Sequence, residues 1–211
     1  VDIRVIEEFR KQSIPVVLVN NYLDMDGLVC ISADHYGGAV QATEYLCKLG
    51  HCKIGLLSGR FSPQVSEARI EGFVKTLAKY DIPVDDRFIA DIEPALEDGE
   101  EIMTRMLREV DRPTAFFCTN DTIAAGAMKA VTRAGLRVPE DIAIIGFDDS
   151  YISRVVEPEL TTVRIDAAKM GCLAMQTLFD LIAGMPVEKA HIQIPTELIV
   201  RGLSLIHISE P

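Results

Sequence analysis

From Val16 onward, short apolar runs rich in β-formers alternate with amphipathic helical stripes about 25–30 residues apart, the spacing of strand–helix–strand crossovers. Strands are predicted at Val16–Val19, Leu28–Ile31, Lys53–Leu57, Arg87–Asp91, Thr114–Cys118 and Asp141–Gly146. Between them, apolar residues recur at helical spacing: Ala39, Ala42, Leu46, Leu49; Ile70, Phe73, Val74, Leu77; Met103, Met106, Leu107, Val110; Ile123, Ala127, Met128, Val131. Such alternation predicts an α/β fold built on parallel sheets flanked by helices. Gly50 and Gly135 follow their stripes where a left-handed residue ends a helix, and Pro139 blocks continuation after Gly135. An extended link, Leu160–Ile165, leads to a further helix (Met170, Ala174, Leu178, Leu181) stopped by Gly184 and Pro186, then to a final strand near Ile192–Val200. These last elements read as a return to another lobe, with no flexible linker in between.

Composition narrows the partners. With 48% hydrophobic residues the chain has enough apolar material for a sizeable core. Its 32 acidic against 21 basic side chains give a net charge of −11, which repels phosphate backbones and acidic membrane surfaces. Cys30, Cys47, Cys52, Cys118 and Cys172 are odd in number, sit in apolar segments and lack metal-ligand spacing, so a reducing, cytoplasmic setting is expected. No apolar run approaches the ~18–20 residues needed to span a bilayer. The sequence opens at Val1 in what reads as the middle of an amphipathic helix (Val5, Ile6, Phe9), so an upstream piece is expected. Residues Leu203–Pro211 continue none of these patterns; they resemble the translated product of a transposase adapter used in sequencing-library preparation and are excluded from the fold.

In an open α/β sheet, ligands bind beyond the carboxyl ends of the strands, where the N–H groups of the following helices point. Asn20 and Asn21 follow the first strand; Arg69 lies on the helix after Lys53–Leu57; Thr119-Asn120-Asp121 and Phe147-Asp148-Asp149 follow two later strands. A guanidinium, amides and carboxylates at one edge offer both donors and acceptors, which suits a neutral polyhydroxylated ligand better than a phosphate. Simpler roles stand beside these. Asn120 or Asp121 could cap the helix beginning near Thr122, Asp149 could cap Ser150–Arg154, and Arg69 could be a solvated charge. Asp148, directly after the apolar run Ile142–Phe147, resists such a reading. His35, His51, His191 and His207 are scattered and read as structural or surface residues. Asp24 and Asp26 form a lone D-x-D with no further ligand spacing, so no metal is expected. Nucleophile-elbow, phosphate-loop, dinucleotide and zinc-protease motifs are absent, so neither catalysis nor a cofactor is expected.

The stretch Val138–Asp149, VPEDIAIIGFDD, followed by Pro158–Arg164, PELTTVR, closely resembles the signature of the LacI/GalR family of repressors. Supporting matches are Ile14–Asn20, Leu49–His51, Ala68–Phe73, Thr119–Ala127 and Glu197–Arg201, so the likeness runs almost to Gly202. It implies a periplasmic-binding-protein-like fold of two lobes joined by three crossings, near Ser32, Ile165 and His191–Pro195. On that basis residues 1–32 and 166–190 form a partial amino-terminal lobe, and 33–165 with 191–202 the carboxyl-terminal lobe. The resemblance further implies an inter-lobe effector cleft lined by Arg69, Asn120 and Asp148, with Asn20 where an acid is usual. Ile165 replaces a common Gln, and Ile92 or Pro94 stands where an aromatic often stacks on the ligand. Homodimerisation, and operator DNA bound through an amino-terminal helix-turn-helix not contained in this sequence, are also implied. The main expectation is therefore a ligand-sensing repressor core for a small sugar-like effector. A solute-binding protein serving a transporter is the alternative, distinguished by a signal peptide upstream in place of a helix-turn-helix; an enzyme on the same scaffold is a third reading.

Overall fold

The computed structural model describes residues 2–187 and 190–202; the segment 203–211, including His207, lies outside the described residues. In chain order the elements are α1 (Ile3–Lys11), β1 (Val17–Val19), β2 (Val29–Ala33), α2 (His35–Lys48), β3 (Ile54–Gly59), α3 (Pro63–Lys79) and β4 (Ile89–Ile92). They continue with α4 (Leu96–Met106), β5 (Ala115–Cys118), α5 (Asp121–Arg133), β6 (Ala143–Asp148), β7 (Thr162–Arg164), α6 (Ala167–Ile182), β8 (His191–Ile194) and β9 (Glu197–Ile199). Over the described residues the chain divides into two units, one within residues 2–34 and 166–195, the other within residues 35–165 and 196–202.

The first unit contains a parallel three-stranded sheet in the order β1-β2-β8, with Leu18 opposite Cys30 and Ile31 opposite Ile192. Helix α6 packs on β1 and β2. The side chain of Asp2 caps α1 by accepting the Arg4 N–H at 3.0 Å. Of the three apolar residues that suggested this helix, Ile6 is buried with Leu18, Leu28 and Cys30, whereas Val5 and Phe9 are exposed.

The second unit holds a six-stranded sheet in the order β4-β3-β5-β6-β7-β9, parallel except for the antiparallel pair β7 and β9. Both faces are covered, which is why its strands read as unbroken apolar runs. Along β5, Phe117 faces a core with Leu46, Leu56, Phe73 and Ile145 beneath α2 and α3, while Phe116 and Cys118 face Leu57, Met103, Ile123 and Ile144 beneath α4 and α5. Each strand thus feeds two cores by simple alternation.

The carboxyl-terminal strands depart from the sequence reading. The expected single strand near Ile192–Val200 is broken at Pro195-Thr196, and its halves go to different units: β8 pairs with β2, and β9 with β7. Residues 191–194 therefore lie in the first unit rather than with the later lobe, and the first change of unit falls at Asp34-His35. The link at Leu160–Ile165 contains a strand, β7, paired between β6 and β9.

Gly50 and Gly135 take positive φ values of 88° and 73° after their helices. Elsewhere glycine is needed for space. At Gly126 in α5 a Cβ would collide with the Leu96 carbonyl oxygen and sit 2.8 Å from the Glu100 nitrogen, both backbone atoms of α4. Backbone cannot yield as a flexible side chain would, so Gly126→Ala should force α4 and α5 apart and cost about 1–3 kcal/mol. Gly135→Ala, where nothing lies within 4 Å but φ is 73°, should cost only about 1 kcal/mol. Urea midpoints of the two variants check this ordering; a reversed order would mean that α4 and α5 tolerate separation.

Candidate functional site

Serine 62 and Pro63 start α3, and the helix turns Val65, Arg69, Phe73, Thr76 and Leu77 toward the sheet. Arg69 stands one helical turn from Val65 and from Phe73, so the geometry of α3 carries its guanidinium into the interior. The residue is 2% exposed. A buried charge is tolerated only when paired and hydrogen-bonded, and the strand ends supply both. Its Nη2 donates to Asp148 Oδ1 at 3.1 Å, its Nη1 donates to the Thr119 carbonyl, and Nε and Nη2 lie 3.4 and 3.2 Å from His35 Nδ1. The guanidinium carbon lies 3.9 Å from the centroid of the Phe147 ring and 5.0 Å from that of Phe61, distances of cation–π contact.

Each charge here shifts its neighbours. Burial pulls Arg69 below its ordinary value, opposed by Asp148. Burial also raises the Asp148 carboxyl, with Arg69 opposing. His35 is pushed down to about 3 by burial and by the Arg69 charge, so it is neutral at physiological pH and its Nδ1 serves Arg69 as an acceptor. Asp148, the last residue of β6, and Asp149 after it have positive φ values of 107° and 52°, a conformation that costs a non-glycine residue energy and clusters at functional sites. The turn aims the two carboxylates apart: Asp148 toward Arg69, Asp149 into a separate buried cluster.

Asp149 is not a helix cap. Ser150 precedes the short turn Tyr151–Arg154 without a side-chain cap bond, and Asp149 accepts from Arg164 Nε at 2.7 Å, Arg201 Nη2 at 2.5 Å and Ser153 Oγ at 3.1 Å. Burial alone would raise its carboxyl, but the hydrogen bonds from Arg164 and Arg201 outweigh that and hold it below the ordinary value. It ties β7 and the Arg201 segment to the turn after β6. Asn120 does cap α5, its Oδ1 accepting the Ile123 N–H at 2.8 Å; the cap uses the oxygen and leaves the amide N–H groups as donors at the sheet edge.

The structure thus brings Arg69 to Asp148 at the end of β6 and to the Thr119 carbonyl after β5, and Asn120 is the next residue along from Thr119. Asn20 belongs to the other unit, where it follows β1 with φ 53°, exposed, its N–H on the Ile31 carbonyl at 2.7 Å. Two neighbours of Arg69 escaped the sequence reading, His35, read as structural or surface, and Phe61; Thr119 was already placed with Asn120 after its strand. One signal was available, since Arg69 falls in register with Val65, Phe73 and Leu77. Of the sequence-predicted stripe of α3, Ile70 and Val74 are only partly buried. Among the described residues no group of His, Cys, Asp and Glu is arranged to hold a metal ion, and no helix is long and apolar enough to cross a membrane.

A two-unit α/β chain with a charged cluster at the strand ends is the arrangement of a ligand-binding module. Residues 43–202 match the family described as periplasmic binding protein-like domain, and the chain belongs to that family, in the form found in LacI-type regulators. It is 36% identical over 191 residues to the HTH-type transcriptional repressor PurR of Pasteurella multocida, covering 90% of this chain and 57% of that protein. The chain thus spans little more than half the length of this curated relative. Among solved structures it superposes on a LacI-family regulatory protein from Chloroflexus aggregans with a TM-score of 0.86 at 31% identity, over 93% of this chain and 70% of the other. A LacI-family regulator from Enterococcus faecium with bound ribose gives 0.86 at 27% identity, over 95% and 74%.

Asp121, next to the site, is 1% exposed and accepts from Thr162 Oγ1 at 2.5 Å and the Ser150 N–H at 2.6 Å. Burial still raises its carboxyl from 3.8 to about 6. The folded chain therefore holds this proton more tightly than the unfolded one. That contribution to stability is present at low pH and is lost as pH rises from about 4 to about 6, at no more than about 1.4 kcal/mol per pH unit. In Asp121→Asn the amide can accept from Ser150 and donate to Thr162 without titrating. Urea midpoints at pH 4.5 and 6.5 should show the wild-type chain losing ground to this variant as pH rises; a parallel pH response would place the Asp121 carboxylate in water.

Proposed function

We propose that this chain is the effector-sensing part of a bacterial DNA-binding transcriptional repressor, and that its effector is a small, neutral, polyhydroxylated molecule of the sugar class. The observation that carries the ligand class is the charge balance at the strand ends. Arg69 and Asp148 neutralise each other at 3.1 Å, and the guanidinium is further occupied by Thr119 and His35, so little of its charge is available to an anion. What remains at the edge is a carboxylate face on Asp148 and amide donors on Asn120, the complement of hydroxyl groups. Asn20, at the end of β1, is the first unit's candidate for a further ligand contact. The ribose in the regulator from E. faecium supports the same class, and the repressor name of the relative from P. multocida supports the regulatory role.

In this reading the intact repressor is a cytoplasmic homodimer that binds operator DNA through a helix-turn-helix segment, catalyses nothing and needs no cofactor. The effector acts by binding two states of the protein unequally. A tenfold change in operator affinity requires only about 1.4 kcal/mol of such difference, which one hydrogen bond to a charged group can supply.

The test is Asp148→Ala in the intact repressor. Effector affinity by calorimetry should fall at least tenfold while operator binding persists. Unchanged effector affinity would overturn the assignment of Asp148.

A further inference from the structure

Phe61 lies in the loop between β3 and α3, in the midst of the residues that end the strands. Its N–H donates to Ser66 Oγ at 3.2 Å, and Ser66 Oγ donates in turn to the Gly59 carbonyl at 3.2 Å, which pins the loop over the end of β3. The ring packs against Gly59 so closely that a Cβ there would lie 2.8 Å from two of its carbons and 3.2 Å from Ile123 Cδ1. Ile123 is the residue whose N–H Asn120 caps. The same ring is 5.0 Å from the Arg69 guanidinium, which pairs with Asp148. Phe61 therefore lies against Arg69, in the loop that leaves the carboxyl end of β3.

Of the two aromatic rings against Arg69, Phe147 is completely buried and can offer no surface to a ligand. Phe61 is only half-buried. Sugar rings carry C–H groups on one face that are polarised by the neighbouring oxygens, and such a face packs on the electron-rich face of an aromatic ring. Hydrogen bonds from Asn120 and to Asp148 fix hydroxyl positions, but they leave the apolar face of a sugar ring without a partner.

We infer that Phe61 is the stacking platform of the effector site, a specificity-determining residue that selects a ring-form sugar by receiving its C–H face while Asn120 and Asp148 take its hydroxyls. This inference rests on the sugar-effector reading above and adds to it that the ligand must present a flat apolar face, as pyranoses and furanoses do and open-chain polyols do not.

The chain has no tryptophan, so Phe61→Trp installs a single indole as an optical reporter at the proposed contact. D-ribose, D-glucose, D-galactose, cellobiose and the open-chain polyol D-sorbitol are titrated by calorimetry into the wild-type chain and into Phe61→Ala, Phe61→Leu and Phe61→Trp, each first checked for folding by circular dichroism. The expected result is that a cyclic sugar binds the wild type and sorbitol does not. Affinity should fall about three- to tenfold in both Phe61→Ala and Phe61→Leu, persist in Phe61→Trp, and be accompanied there by a shift in indole emission. Phe61→Leu keeps the apolar volume without the aromatic face, so it stands in if Phe61→Ala does not fold. A cyclic sugar that binds wild type and Phe61→Leu equally, or leaves the indole unmoved, overturns the platform role while the sugar-effector reading stands. Binding of none of the cyclic sugars by the folded wild type overturns both.

Discussion

A guanidinium with almost no contact with water is the constraint around which the second unit is arranged. Left unpaired, such a charge would cost several kcal/mol. Its acceptors come from three places that the sheet brings together: the Thr119 carbonyl after β5, Asp148 at the end of β6 and His35 at the start of α2. Two of these partners are distorted or altered beside it. Asp148 adopts φ 107° and His35 is held neutral. The cluster is thus held by the protein's own contacts, and such preorganisation is the condition under which a few added hydrogen bonds can bias a conformational equilibrium.

The rest of the unit supplies the stiffness this arrangement requires. The sheet is packed on both faces, and Gly126 and Gly99 let α4 and α5 approach through their backbones. Behind the turn that carries Asp148, Asp149 gathers Arg164, Arg201 and Ser153 into a buried network. A rigid strand end on one side and a cross-linked turn on the other leave the Asp148 carboxylate little freedom. The consecutive aspartates thus divide the work, one holding the turn and the other facing Arg69.

Much of this was legible from residues alone, for reasons that can be named. The six predicted strands all correspond to strands in the structure because apolar runs and turn residues report local burial. Arg69, Asn120 and Asp148 were reachable from the rule that ligands meet the carboxyl ends of strands. Asp149 was misread as a cap because its arginine partners are 15 and 52 residues away. His35 was passed over because nothing near it in sequence shows that Arg69 lies against it. The tail of the fold was misassigned for a related reason: β8 and β9 are separated by two residues, and only their pairing partners reveal that they belong to different units.

What the sequence determined by itself is the alternation of strands and helices, the family, and the residue types available where strands end, because each of these is encoded in local periodicity or in contiguous motifs. The tertiary structure alone decided which of those polar residues meet. Burial of Arg69, neutrality of His35, the raised carboxyl of Asp121 and the position of Phe61 all depend on side chains far apart in sequence sharing a low-dielectric space. That proximity is a property of sheet order and register, which no window along the chain contains.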